Sequence, residues 1–295
     1  MAGFTPFAEP DPLDEIAGTD RLRPADGILL TADHVQTEQL YHRGRLARLL
    51  AYLHGAGTVA GLDVRYSAPG GTAAEVQVTP GLAIDYRGRL VELTHLSCLK
   101  LGDWVGATAS TPQGLARLAA GRRAAGAGLP DHLVVDLFAE FRAFARRPEP
   151  AFATGNADRI DAISPTLAQD SVFLNMVIRD AAFTGLPESM VSRLVPGAVT
   201  AAEVQRVKRE SLWPALGPRP DQLAPDPTLP PTEHVRGHQA FGGVFLARLR
   251  VPVTGTPPGL DDSIALTAPA LLPDVSGRLY SYSTAELALL AGQRR

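Results

Sequence analysis

LLTADHVQTEQLYHRGRLARLLAYLHGAGTVAGLDVRYSAPGGTAAEVQVTPGLAIDYRGRLVEL, residues 29–93, is the stretch whose reading decides the fold. Its first part reads as one helix from Asp33 to His54. Thr31 is the expected N-cap, its hydroxyl accepting a bond from an otherwise unpaired first-turn N–H. Gly55 and Gly57 end the helix, since glycine admits the left-handed conformation a C-terminus often needs. Beyond them come short runs in which apolar and polar residues alternate: Val59–Val64, Val76–Val78, Leu82–Ile84 and Leu90–Leu93. Turn signals at Pro69-Gly70-Gly71, Pro80-Gly81 and Arg87-Gly88 separate them. Period two with such punctuation predicts antiparallel hairpins, so the unit is one helix on a small sheet.

Placing the helix residues at 100° steps puts Val35, Leu46, Leu49, Leu50 and Leu53 on one side, which is expected to face the sheet. Gln39 and His42 fall within that apolar stripe. An unpaired buried polar group costs about 1–3 kcal/mol, so both are expected to be buried and bonded to main-chain groups near Gly55–Gly61. His42 and His54 lie twelve residues apart on one helix, about 18 Å, too far for a shared metal. On the opposite side Leu40, Gly44, Ala47 and Ala51 form a strip of mostly small residues. It is expected to let another backbone approach closely, as an interface with a second chain.

The composition excludes several function classes. A net charge of −3 and a pI of about 6.2 leave no overall nucleic-acid footprint. No run of about 18 apolar residues is present to span a bilayer, and no stretch has the form of a secretion signal. Synthesis and folding in a reducing cytosol are expected. Cys98 is the one cysteine, and its neighbours Leu96 and Leu99 predict a buried small hydrophobe.

Outward from the helix–hairpin unit (29–101), residues 1–28 read as an extended arm lying on their own domain or on a neighbour. Residues 102–131 read as an Ala/Gly-rich connector with a helix from Pro112 to Ala124. Residues 132–251 read as a β-rich domain. In it His132–Phe144 is a long strand, with Asp136 and Glu140 on an expected solvated face. Asp170–Ile178 pairs with that strand after a turn at Ser164-Pro165, and Phe241–Val251 returns. A capping-box spacing at Thr200 opens a helix over 200–213. The following 214–231 holds seven prolines and reads as an extended arm with apolar anchors Trp213, Leu216, Leu223 and Leu229, expected to bind a neighbour. Residues 252–295 form a tail in which Ser283 starts a short helix. The fold class is α+β, mainly antiparallel, with an N-terminal helix packed on a hairpin sheet and proline-rich arms.

Catalytic chemistry finds no footing. His54-Gly55-Ala56-Gly57 has the look of an oxyanion-hole turn, but the chain has no G-x-S-x-G elbow and no parallel βα alternation. His234 and His238 lack a third nearby ligand, and two histidines do not specify zinc. There is no phosphate loop, and no cofactor or metal site is expected. Gln39, His42, Gly55, Gly57, Gly61, Pro80 and Gly81 are read as structural residues.

The run Glu38-Gln39-x-Tyr41-His42-Arg43, then Leu53-His54-Gly55-x-Gly57, Val59-x-Gly61-Leu62-x-Val64 and Val78-x-Pro80-Gly81-x-Ala83-Ile84-Asp85-x-x-Gly88-Arg89 resembles a recurrent bacterial family encoded beside phage-tail and contractile-injection-system genes. Weaker similarity continues through Phe138-Ala139-Glu140, Pro148-Glu149-Pro150, Arg159-Ile160 and Phe245-Leu246-Ala247-Arg248-Leu249. The chain departs at Ala56 and Ala60, where the family often carries tryptophan and cysteine. The resemblance implies a non-enzymatic structural subunit of a phage-tail-like particle, at the baseplate or fibre attachment. It further implies a symmetric multimer partnered by other baseplate or tail proteins. A carbohydrate- or cell-surface-binding module of the same particle is the alternative, and needs exposed aromatics.

Overall fold

The computed structural model describes residues 8–9, 20–67, 74–85, 87–126, 128–150, 163–180, 243–261 and 271–290. The expected helix 200–213, the arm 214–231 with Trp213, Leu216, Leu223 and Leu229, and the pair His234/His238 lie outside them. In chain order the elements are β1 (Ala8–Glu9), α1 (Ala32–Leu53), β2 (Gly57–Gly61), β3 (Val64–Ser67), β4 (Glu75–Val78), β5 (Gly81–Ile84) and β6 (Leu90–Leu93). There follow β7 (Ser97–Lys100), α2 (Leu101–Ala109), α3 (Pro112–Gly121), β8 (Arg122–Arg123), β9 (His132–Pro150), β10 (Ile163–Ile178), β11 (Val244–Thr254), β12 (Gly259–Leu260) and α4 (Thr284–Leu290). The class is α+β, and every named strand pair is antiparallel.

α1 begins where its cap chemistry says it should. The Thr31 hydroxyl accepts from the His34 N–H, and the Thr31 N–H donates back to His34 Nδ1. That is a capping box with histidine in the place of the usual glutamate. At the other end Gly55 takes φ +72°, the left-handed residue expected after a helix.

Two three-stranded sheets follow, β2–β5–β6 and β3–β4–β7. They divide because Leu62, at φ +56°, turns the chain between β2 and β3, breaking the single strand Val59–Val64 expected from alternation. β7 and α2 went unread in the sequence. In β7, Leu99 packs on the core, so its neighbour Cys98 points outward and is exposed rather than buried.

β9 is the spine of the large sheet. Along one edge it pairs with β8 and then β10; along the other with β11 and then β1. The N-terminal arm therefore contributes a strand to its own chain. β9 and β10 run longer than expected. Ser164 and Pro165 stand inside the ladder opposite Glu149 and Pro148 instead of forming a turn. One core joins Leu62 of the β2–β3 turn and Val76, Val78 and Val91 of the small sheets to Leu101, Leu118, Leu133, Val135, Leu137, Leu246 and Leu249. Residues expected as two units thus bury one another's apolar faces, a larger gain than either would reach alone.

Candidate functional site

The turn between β5 and β6 ties the molecule together. Asp85 accepts from the N–H groups of Arg87 and Arg89 through Oδ1, and from Arg89 Nε through Oδ2 at 2.6 Å. Both side chains of this pair are buried. Burial pushes the Asp85 carboxyl up from its ordinary range, against the pull of Arg89 and the two main-chain donors. The Arg89 guanidinium lies 4.7 Å from the ring centroid of Phe141 on β9, a cation–π contact docking the turn on the large sheet. Gly88, at φ +81°, faces α1 so closely that a Cβ there would stand 1.7 Å from the Ala47 carbonyl oxygen. One tight turn holds helix, small sheet and large sheet.

This contact settles which side of α1 faces inward, and it is the side opposite to the expected one. Gly44 and Ala47 are buried, and Leu40 and Ala51 partly so. The small-residue strip does admit a close backbone, but that backbone is the chain's own Gly88 turn. Val35, Leu46, Leu49 and Leu53 are 49%, 52%, 54% and 66% exposed. Gln39 and His42 are exposed with them, and neither is bonded to the glycine-rich turn as expected. His42 Nε2 instead sits 2.8 Å from Glu38 Oε1, while Glu38 Oε2 accepts from the Leu22 N–H. Total apolarity favours the leucine side, but bulky side chains do not fit against a turn whose backbone touches the helix. Two polar residues inside the apolar stripe were the signal available in the sequence.

The remaining structural glycines mark close backbone approaches. A Cβ on Gly61 would meet the Pro80 carbonyl oxygen at 2.2 Å, and one on Gly81 the Ala60 oxygen at 2.4 Å. Gly57 faces Leu279 of a C-terminal strap. There the Thr58 N–H donates to the Leu279 carbonyl and the Ser281 N–H to the Thr58 carbonyl, an isolated parallel bridge. Arg278 fastens the strap, its Nε donating to Thr58 Oγ1 and its Nη2 to the Gly61 carbonyl.

Asp136 and Glu140 are buried, which corrects the expected solvated face. Arg248, directly opposite on β11, donates to Asp136 through Nε at 2.7 Å and Nη2 at 3.0 Å. Arg179 Nη1 lies 3.7 Å from the same carboxylate. Glu140 Oε1 accepts from Asn175 at 2.6 Å. Each carboxylate is thus compensated by donors from neighbouring strands, which allows burial where an unpaired one would neutralise. Phe138 and Phe245 pack edge to face between them, their centroids 5.9 Å apart. These carboxylates hold strands together. Among the described residues no three His, Cys, Asp or Glu side chains are placed to hold a metal ion.

Thr58, Arg179 and Arg278 were not singled out in the sequence, and Asp85, Arg89 and Arg248 entered only as members of the resembling motifs, with no role assigned. For Arg248 and Asp136 a signal existed: opposite charges within mainly apolar runs, Arg248 and Arg250 on β11 and Asp136 and Glu140 on β9. No protein-family model matches the chain, and a search of curated proteins finds no match. No described helix is long and apolar enough to cross a membrane.

Proposed function

We propose that the chain is a non-enzymatic structural subunit of a phage-tail-like contractile injection particle, at the baseplate or the fibre attachment. It is made in the cytoplasm and built into the particle among other baseplate and tail proteins. The observation that carries the reading is the placement of the residues behind the family resemblance. Gly57, Gly61, Pro80, Gly81, Asp85, Gly88 and Arg89 fix the helix, the hairpins and the C-terminal strap to one another, while Glu38 ties α1 to Leu22 and Gly55 ends the helix. Their work is architectural, as a structural subunit requires. The test is co-expression of a tagged chain with its neighbouring genes, followed by sedimentation and electron microscopy. The tag should co-sediment with sheathed particles and label one end of them. Particles that assemble fully without the chain, and never carry it, overturn the reading.

The alternative, a cell-surface-binding module, is favoured by one observation. Tyr280 and Tyr282 are both exposed, with ring centroids 6.1 Å apart and planes 32° from parallel, an apolar platform of the kind a sugar ring stacks on. Glycan-array binding that disappears in Tyr280→Ala/Tyr282→Ala, while the protein stays folded, selects this reading.

A further inference from the structure

The exposed side of α1 has a period that the rest of the fold does not use. Val35, Gln39, His42, Leu46, Leu49 and Leu53 follow one another at intervals of four, three, four, three and four, and all six are exposed. Steps alternating between four and three, seven residues to every two steps, are the spacing of a coiled-coil seam, which meshes with another helix carrying the same pattern. Gly44 and Ala51 stand at the position opposite the seam, and Gly44 is buried against the body. The fold thus holds α1 by its small-residue back and presents its seam outward. Among the described residues no other helix exceeds ten residues, so no described element supplies a matching partner from within.

We infer that α1 is a self-association element, its seam zipping in parallel and in register against α1 of a second copy of this chain. Two features select a copy of the chain over an unrelated apolar partner. Glu38 and Arg43 flank the seam five residues apart with opposite charge. In a parallel coil, that is the spacing at which a residue beside one seam meets its counterpart on the neighbouring helix. Symmetry then makes the attraction occur once in each direction. Carboxylate oxygens accept more than one bond, so the existing contacts of Glu38 to Leu22 and His42 are compatible with this. Gln39 is the second feature. Against an all-apolar partner its amide would be buried unpaired, whereas in register it meets an identical amide that both donates and accepts. The helix is also already formed and capped, so association does not carry the nucleation cost that makes short isolated coils marginal.

This inference does not rest on the particle reading, since self-association is measured on the purified chain alone. Light scattering of the full chain at tens of micromolar should give an integer multiple of 31.2 kDa. Leu46→Glu/Leu49→Glu should shift it to the protomer mass with an unchanged circular dichroism spectrum. Leu272→Glu, at an exposed leucine outside α1, should leave the oligomer intact. Orientation is read with Gln39→Cys in a Cys98→Ser background, which should cross-link into covalent dimers under mild oxidation. Leu272→Cys in the same background should not. A wild-type monomer, which is also the result if another stretch of the chain covers the seam, overturns the inference. So does an oligomer that persists in Leu46→Glu/Leu49→Glu, and absence of a cross-link in the Gln39→Cys variant overturns the parallel pairing.

Discussion

At Gly88 the absence of one methyl group decides where a 22-residue helix sits. Two separate demands meet there, a left-handed φ and contact with the Ala47 carbonyl. Gly55 makes only the first demand, since nothing lies within 4 Å of a Cβ built on it. Substitution to alanine separates the two effects. Gly55→Ala should cost about 1–2 kcal/mol, the price of a left-handed L-residue. Gly88→Ala adds overpacking against backbone that cannot swing aside, and should cost about 2–5 kcal/mol in total. Urea unfolding of the two variants side by side checks the ordering, and equal losses would mean that α1 yields freely at Ala47.

At the scale of elements, the pairing of β9 with β11 contains a buried charge pair where an apolar pair is the commoner choice. Removing one partner of such a pair costs about 3–5 kcal/mol, because the other is left uncompensated. Asp136→Ala should lower the urea midpoint accordingly, and Asp136→Ala/Arg248→Met should recover part of the loss. A double variant less stable than the single would show that Arg248 has a second stabilising role. The same scale shows what the sequence made legible. The N-cap Thr31, the glycine stop, the β5–β6 hairpin at Arg87-Gly88 and the β9–β10 pairing follow from local rules and were readable. Pro80-Gly81, expected as a hairpin turn, instead carries the chain from β4 in one small sheet to β5 in the other. The inward face of α1 was not, because it depends on a backbone approach from residue 88 that no helical period encodes. Nor was the burial of Asp136, which depends on Arg248, more than a hundred residues away. Of the site, the close-packed glycines were legible and the arginines that clamp them were not.

For the molecule as a whole, acid sensitivity follows from which carboxylates are engaged. Asp131 is held below its ordinary range by Arg122, which also reaches the Gly255 carbonyl. Asp274 is held down by the Ser276 main chain and side chain. At the cap of α4, the Ser283 side chain and main chain do the same for Glu286. A carboxylate whose pKa is depressed on folding contributes stability that is present above its unfolded value and lost as pH falls through the folded one. Glu38 is likewise held down, by the Leu22 N–H and by His42. Asp85, raised by burial, acts in the opposite sense, so the four depressed groups set the slope. The melting temperature should therefore fall as pH drops below about 4, and Asp131→Asn should flatten that fall. A melting temperature that rises on acidification would assign the dominant role to Asp85.

The strap fastened by Arg278 has a consequence in time as well as in space. Thr58 and Arg278 are separated by 220 positions in the chain. At a synthesis rate of about 5–20 residues per second, the β2 residues emerge about 10–40 s before the guanidinium that will hold them. Through that interval the nascent helix–hairpin unit waits on the ribosome with one backbone edge unclaimed, and neighbouring chains on the same message wait in the same condition. Premature release ahead of residue 278 would strand it there.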